Sequence, residues 1–256
     1  GYFVDYSKAD DFKPPTFIQP TPTPSATPTN SIFSPDSKSE LQSAVDAWDV
    51  DSTSARELYH DISLWDTSKI TDMSGIFENK SNIINLNIEN WDVSNVTNMA
   101  GMFRGAWQLD NVDLSSWDVS SVTNFEGMFA NCNYLSTVGN ISNWNTHKVT
   151  TMQQMFSNCY NIDEIGTLDN WKVDLVESTM AMFSNCTYLT TVGDISSWST
   201  SNMTDIQQMF YNCYSLELPG DLSGWCAENV LTKYQFADNT PWETDTEKHP
   251  NIGEPC

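Results

Sequence analysis

Tryptophan recurs along this chain at positions 65, 91, 117, 144, 171, 198 and 225, at intervals of 26 or 27 residues. Nothing else restricts the fold as strongly, because other positions keep step with it. Five residues after each Trp stands Ile70, Val96, Val122, Val149, Val176 or Met203; twelve after stands Phe77, Phe103, Phe129, Phe156, Phe183 or Phe210. Fifteen after come Lys80 and Ala106, then Cys132, Cys159, Cys186 and Cys213. A fixed period of this length marks a repeat architecture, in which one unit cannot bury its apolar face alone and stacking buries it.

Within a unit two local patterns alternate. Val96, Met99, Met102 and Phe103 fall at the offsets of one face of a short helix. Thr71, Thr97, Thr123, Thr150 and Thr204 stand where an N-cap hydroxyl would serve such a helix. A second segment, with Leu109, Val112 and Leu114 and then Ile141, Leu168 or Ile195, is short and branched-rich, as a strand should be. Each unit therefore reads as a strand, a turn at Trp-Asp-x-Ser, a helical turn and a loop. Stacked, these make an α/β solenoid of short parallel strands and short helices. At about 4.8 Å per strand the sheet would be about 29 Å wide.

The segments "LSSWDVSSVTNFEGMFANCNYL" and "NIENWDVSNVTNMAGMF" resemble those of the BspA-type leucine-rich-repeat surface proteins, over roughly residues 41–256. The resemblance implies a leucine-rich-repeat-like stack with capped ends, and a place among cell-surface adhesins and proteins of unassigned role. The fifth unit, "WKVDLVESTMAMF", departs from the pattern by placing Thr179 where others have Met, so local distortion is expected there.

The expected organisation has four parts. Residues 1–36 are a Pro/Thr-rich arm or stalk of extended chain. Residues 37–64 are a helical cap: Ser37-x-x-Glu40 opens a helix with Leu41, Ala44, Val45 and Trp48 on one face, and Ser54-x-x-Glu57 opens a second. Residues 65–224 are the repeats, and 225–256 a C-terminal cap. Cys226 and Cys256 fall outside the cysteine ladder and read as a disulfide closing that cap, worth about 3 kcal/mol. In the arm, Tyr2, Val4 and Tyr6 alternate well enough to add as an edge strand, on this solenoid or on a neighbouring molecule.

Composition narrows the function. A formal net charge of -23 argues against nucleic acid and against an anionic membrane surface. No apolar run is long enough to span a membrane. The chain begins at Gly1 with no signal segment, which reads as a processed form or fragment and carries nothing against secretion. His60, His147 and His249 are scattered, and no nucleophile, phosphate-loop or dinucleotide motif occurs. No catalytic residue, cofactor or metal is expected. Calcium would suit an acidic ladder of Asp66, Asp92 and Asp118, but each Asp bonding its own turn is the preferred reading. The ladder cysteines suit either pairing or buried thiols, and Ala106 in their column favours thiols.

What remains is surface. Trp107, Tyr134, Tyr160, Tyr188 and Tyr214 lie one or two residues past the cysteine position, where a row of aromatics could hold a protein or a glycan. Asn95, Asn140 and Asn202 are sequon positions, some of which are expected to carry N-glycans in a eukaryotic source, and Thr21, Thr23, Thr27 and Thr29 are plausible O-glycan carriers. The expectation is a non-catalytic extracellular or cell-surface binding protein. The alternative is a fibre or coat subunit, a homo-oligomer joined through residues 1–36.

Overall fold

The structure, a computed structural model, describes residues 32–253. These lie within one compact unit, Ile32–Cys256.

The cap forms largely as its sequence dictates. Helix α1, Lys38–Val50, has Ser37 as its N-cap, accepting the Glu40 amide. Glu40 returns the bond one residue early, to the Asp36 N–H at 2.9 Å. Leu41, Ala44, Val45 and Trp48 are buried. Helix α2, Ser52–Tyr59, is capped by Asp51 and not at Ser54; Asp51 accepts from the Thr53 amide and the Ser54 hydroxyl. The last residues assigned to the arm belong to this cap. Phe33 meets Tyr59 and Trp65 edge-on at 4.9 and 5.1 Å, and its carbonyl accepts the Asp66 N–H. All the ion pairs found among the described residues lie here, and three of them, Lys38–Asp72, Lys69–Asp36 and Lys80–Asp46, tie the cap and the segment leading into it to the first repeat.

The repeats stack in parallel, but the helical turn expected in each does not form. Among the described residues the only α-helices are α1 and α2. Where the helix was expected, alternate amides bond forward instead. Met73, Gly75, Phe77 and Asn79 donate to the carbonyls of Asn98, Ala100, Met102 and Arg104 in the next repeat, at 2.7–3.0 Å. The amides between them close three-residue turns, Ile76 to Met73 and Glu78 to Gly75. No donor is left for an i to i−4 ladder. Left-handed residues recur at two fixed places: Gly75, Gly101, Gly127, Gln154, Ala181 and Gln208, and then Asn79, Gly105, Asn131, Asn158, Asn185 and Asn212. A right-handed helix cannot pass through either. The threonines read as N-caps are corrected with it. The Thr97, Thr123 and Thr150 hydroxyls donate to the carbonyl of the threonine one repeat earlier, at 3.0–3.1 Å.

The strands are fewer than expected. Among the described residues only β1, Asn85–Leu86, and β2, Asn111–Val112, form a ladder, and each has two residues. Elsewhere the parallel pairing persists as single bridges, Asp72 through Asn98, Asn124, Thr151 and Ser178 to Asp205, and Asn111 through Thr137 to Glu164. Left-handed Gly139, Gly166, Gly193 and Gly220 stop the segment from lengthening. A Cβ on Gly139 or Gly193 would lie 2.2 or 2.0 Å from the carboxylate oxygen of Asp113 or Asp169 in the preceding repeat, so that column is closed to side chains.

The interior is a set of columns. Phe77, Phe103, Phe129, Phe156, Phe183 and Phe210 stack face to face, with centroids 5.1–5.7 Å apart and rings within 8° of parallel. Each ladder Trp from Trp91 to Trp225 donates its indole N–H to a carbonyl of the preceding repeat. Cys132, Cys159, Cys186 and Cys213 are buried free thiols, each donating Sγ–H to a phenylalanine carbonyl at 3.0–3.1 Å. Thr179 keeps the register, its amide bonded to the Asp205 carbonyl at 3.0 Å, so the expected distortion is absent. Its hydroxyl is fully buried and has no partner among the described residues. The pattern runs on through Phe236 and Asn239; Phe236, Trp242 and His249 then close the stack edge-on. Cys226 is not a free thiol; its expected partner Cys256 lies outside the described residues.

Candidate binding strip on the turn edge

After the cysteine position each repeat makes one more three-residue turn. The amides of Leu109, Leu135, Ile162, Leu189 and Leu216 donate to the carbonyls of Ala106, Cys132, Cys159, Cys186 and Cys213, at 3.0–3.3 Å. Both ends of the turn are buried, so its two corner residues are forced outward. All five aromatics singled out in the sequence occupy these corners. Trp107, Tyr134, Tyr160, Tyr188 and Tyr214 are 44, 56, 40, 61 and 57% exposed. The structure brings the first two together, with ring centroids 6.4 Å apart and planes tilted by 49°. They form one wall of a cavity of about 540 Å³, completed by Ile84, Gln108, Asp110, Ser136 and Asn161.

The corners beside the aromatics are polar: Gln108, Asn133, Asn161, Thr187 and Ser215. The Asn133 side-chain amide donates to the carbonyls of Asn131 and Asn158, and Thr187 donates to the Tyr160 carbonyl at 3.0 Å. Beneath the corners runs a ladder that the sequence did not announce. The amide nitrogen of each of Asn158, Asn185, Asn212 and Asn239 donates to the side-chain oxygen of the asparagine one repeat earlier, at 2.6–2.8 Å. The recurrence of Asn next to the cysteine column was the available signal. These hydrogen bonds cross-link neighbouring repeats directly beside the corners.

The carboxylates act locally. Asp66, Asp92 and Asp118 each accept the amide of the serine two residues on, Ser68, Ser94 or Ser120, at 3.0–3.1 Å. The Ser120 hydroxyl and amide hold the Asp118 carboxyl below the usual carboxylate range, and Ser115 does the same for Asp113. Among the described residues no cluster of three or more potential metal ligands occurs. Of the sequon positions, Asn95 and Asn202 are exposed but tethered through their amide nitrogens to the carbonyls of Ser68 and Asp174, and Asn140 uses its oxygen to cap the Ser142 amide. Tyr2, Val4, Tyr6, Thr21, Thr23, Thr27 and Thr29 lie outside the described residues.

The architecture is a solenoid of stacked, equivalent repeats. A family model described as "Mycoplasma protein of unknown function, DUF285" matches residues 51–162 and 133–248, and the chain belongs to that family. Two overlapping matches are what a stack of equivalent repeats produces. Among solved structures, the chain is similar to a leucine-rich cell surface protein from Faecalibacterium prausnitzii A2-165, with 23% identity, a TM-score of 0.40, and coverage of 59% of this chain and 36% of that one. A leucine-rich-repeat protein from Eubacterium ventriosum ATCC 27560 gives 13% identity and a TM-score of 0.36, covering 68% of this chain and 35% of that one. The chain thus spans about a third of the length of either. No curated protein matches the sequence. No helix among the described residues is long and apolar enough to cross a membrane.

Proposed function

We propose that the protein is a non-catalytic binding and adhesion module at a cell surface or in an extracellular matrix, and that the turn-edge strip is its working surface. One observation carries this reading. Five large aromatics stand exposed in consecutive repeats of a solenoid whose tryptophan and phenylalanine columns are buried. Exposed aromatic surface repeated in this way is characteristic of an interaction site. Among the described residues the strip brings no paired ionisable groups into a closed cleft, which supports binding over catalysis. The BspA-type resemblance supports the surface location.

The test compares the parent protein with a variant carrying Ala at Trp107, Tyr134, Tyr160, Tyr188 and Tyr214. Both are applied to immobilised extracellular proteins and polysaccharides in separate wells. Retention of the parent on at least one surface, with the variant washed off and its melting temperature unchanged, is the expected result. Equal retention of both on every surface, or turnover of a polymer by the parent, overturns the proposal.

A further inference from the structure

The strip has an order that goes beyond a row of aromatics. In each repeat the turn offers two corners, and the aromatic changes corner from one repeat to the next. The first corners read Trp107, Asn133, Tyr160, Thr187, Tyr214; the second read Gln108, Tyr134, Asn161, Tyr188, Ser215. Aromatic and hydrogen-bonding groups therefore alternate along both columns, out of phase, as on a checkerboard. The hydrogen bond that closes the turn is the same in all five repeats, so the alternation is one of position in space and not only of sequence.

From this order we infer that the strip binds an extended, uncharged β-1,4-linked glycan lying along the solenoid axis, one sugar residue per repeat. The inference rests on the binding-module reading and names its ligand class. Neighbouring repeats are separated by about 4.8 Å, so the period of the checkerboard is about 10 Å and the strip is about 19 Å long. In a flat β-1,4-linked chain each sugar is turned over relative to the last. Every ring still offers an apolar face of C–H groups, while the hydroxymethyl edge falls left and then right. A surface complementary to that ribbon needs an aromatic under each ring and a polar group on alternating sides, which is what the corners supply. A helical α-1,4-linked chain does not present this alternation. A net charge of -23 disfavours anionic polysaccharides. An extended peptide also alternates its side chains, but with a period of about 6.6 Å, which falls out of step with the strip.

The test is titration of the whole chain with β-1,4-linked glucose and N-acetylglucosamine oligomers of increasing length, with α-1,4-linked maltohexaose as the control. Affinity is expected to rise with chain length and level off once the oligomer reaches the length of the strip. The decisive variant exchanges one pair of corners, Tyr160→Asn with Asn161→Tyr. It keeps the composition and the exposed area but puts three successive aromatics in the second corner. It should fold with the parent's melting temperature and bind the longest β-1,4 oligomer about tenfold more weakly or worse. The inference is overturned if no β-1,4 oligomer binds, if maltohexaose binds as well, or if the exchanged variant binds like the parent. If no glycan binds but the five-alanine variant still loses retention on a protein surface, the ligand class is wrong and the binding module stands. If neither occurs, both fall.

Discussion

Trp117 donates its indole Nε1–H to the backbone carbonyl of Ile88 at 3.1 Å, across the boundary between two repeats. The same bond recurs at every ladder Trp from Trp91 onward, but Trp65, which begins the ladder, has a buried indole N–H with no acceptor among the described residues. Trp→Phe at position 117 should therefore cost about 1 kcal/mol more than the same change at position 65, since only the first loses a hydrogen bond. Urea unfolding of W117F and W65F measures the difference; equal costs would remove the indole ladder from the account of stability.

Thr179 should be improvable. Its hydroxyl is buried and unpartnered, and the equivalent residues Met73, Met99 and Met152 are apolar. Thr179→Val, which keeps the shape and removes the orphan oxygen, is expected to stabilise the protein by about 1–3 kcal/mol, read as a higher denaturation midpoint.

Burial, with only one backbone hydrogen bond opposing it, pushes the Cys132 and Cys213 thiols up to about 12. Burial likewise raises Cys159 and Cys186. Because the folded values lie above the unfolded one, the thiols favour the folded state fully below the unfolded pKa of about 8.5 and progressively less as pH rises toward the folded value. Stability should thus fall between about pH 8.5 and 12, and a Cys-to-Ala variant of the column should lose less over that range. At pH 8 the folded protein should resist thiol reagents that label it readily in urea.

The asparagine rail separates conformation from hydrogen bonding. Asn185 sits at φ 64° and bonds both neighbours in its column. Asn185→Ala forfeits the bonds and strains the backbone by about 1–2 kcal/mol, whereas Asn185→Gly forfeits only the bonds. The glycine variant should melt higher than the alanine one, and Gly105 already fills the same place in an earlier repeat.

At low pH the turn carboxylates contribute in the opposite sense. Hydrogen bonds from Ser120 and Ser115 depress Asp118 and Asp113, so their contribution is complete above the unfolded value of about 3.9 and is lost as pH falls through the folded ones. Asp118→Asn should flatten acid unfolding below about pH 4 while leaving stability at pH 7 little changed, because Asn can cap the same turn.

The columns were legible because an interior shared by stacked units must present the same shape in each, and Trp, Phe and Cys therefore recur at fixed offsets. The helix was misread for a specific reason. Val96 closes one three-residue turn, Met99 and Met102 are the ends of the next, and the bridge at Asn98 separates them; the resulting spacing of three also fits one face of a helix. The contrary signal was present in the columns of Gly101, Gly127 and Asn131, Asn158, which read as turn residues. The five aromatics were found from sequence, but the meaning of their shift between the first and second positions was not. It became readable only when hydrogen bonds from Leu135 and Ile162 showed that both positions are corners of one conserved turn.

The alternation of corners has a consequence for how such a chain can change over generations. Gain or loss of one repeat within the strip would leave the core columns intact, yet it would bring two like corners side by side and break the phase. Gain or loss of two would preserve it. Within the strip the unit of inheritance is therefore a pair of repeats, although the unit of folding is one, whereas single repeats can be gained or lost beyond either end of it without disturbing the phase.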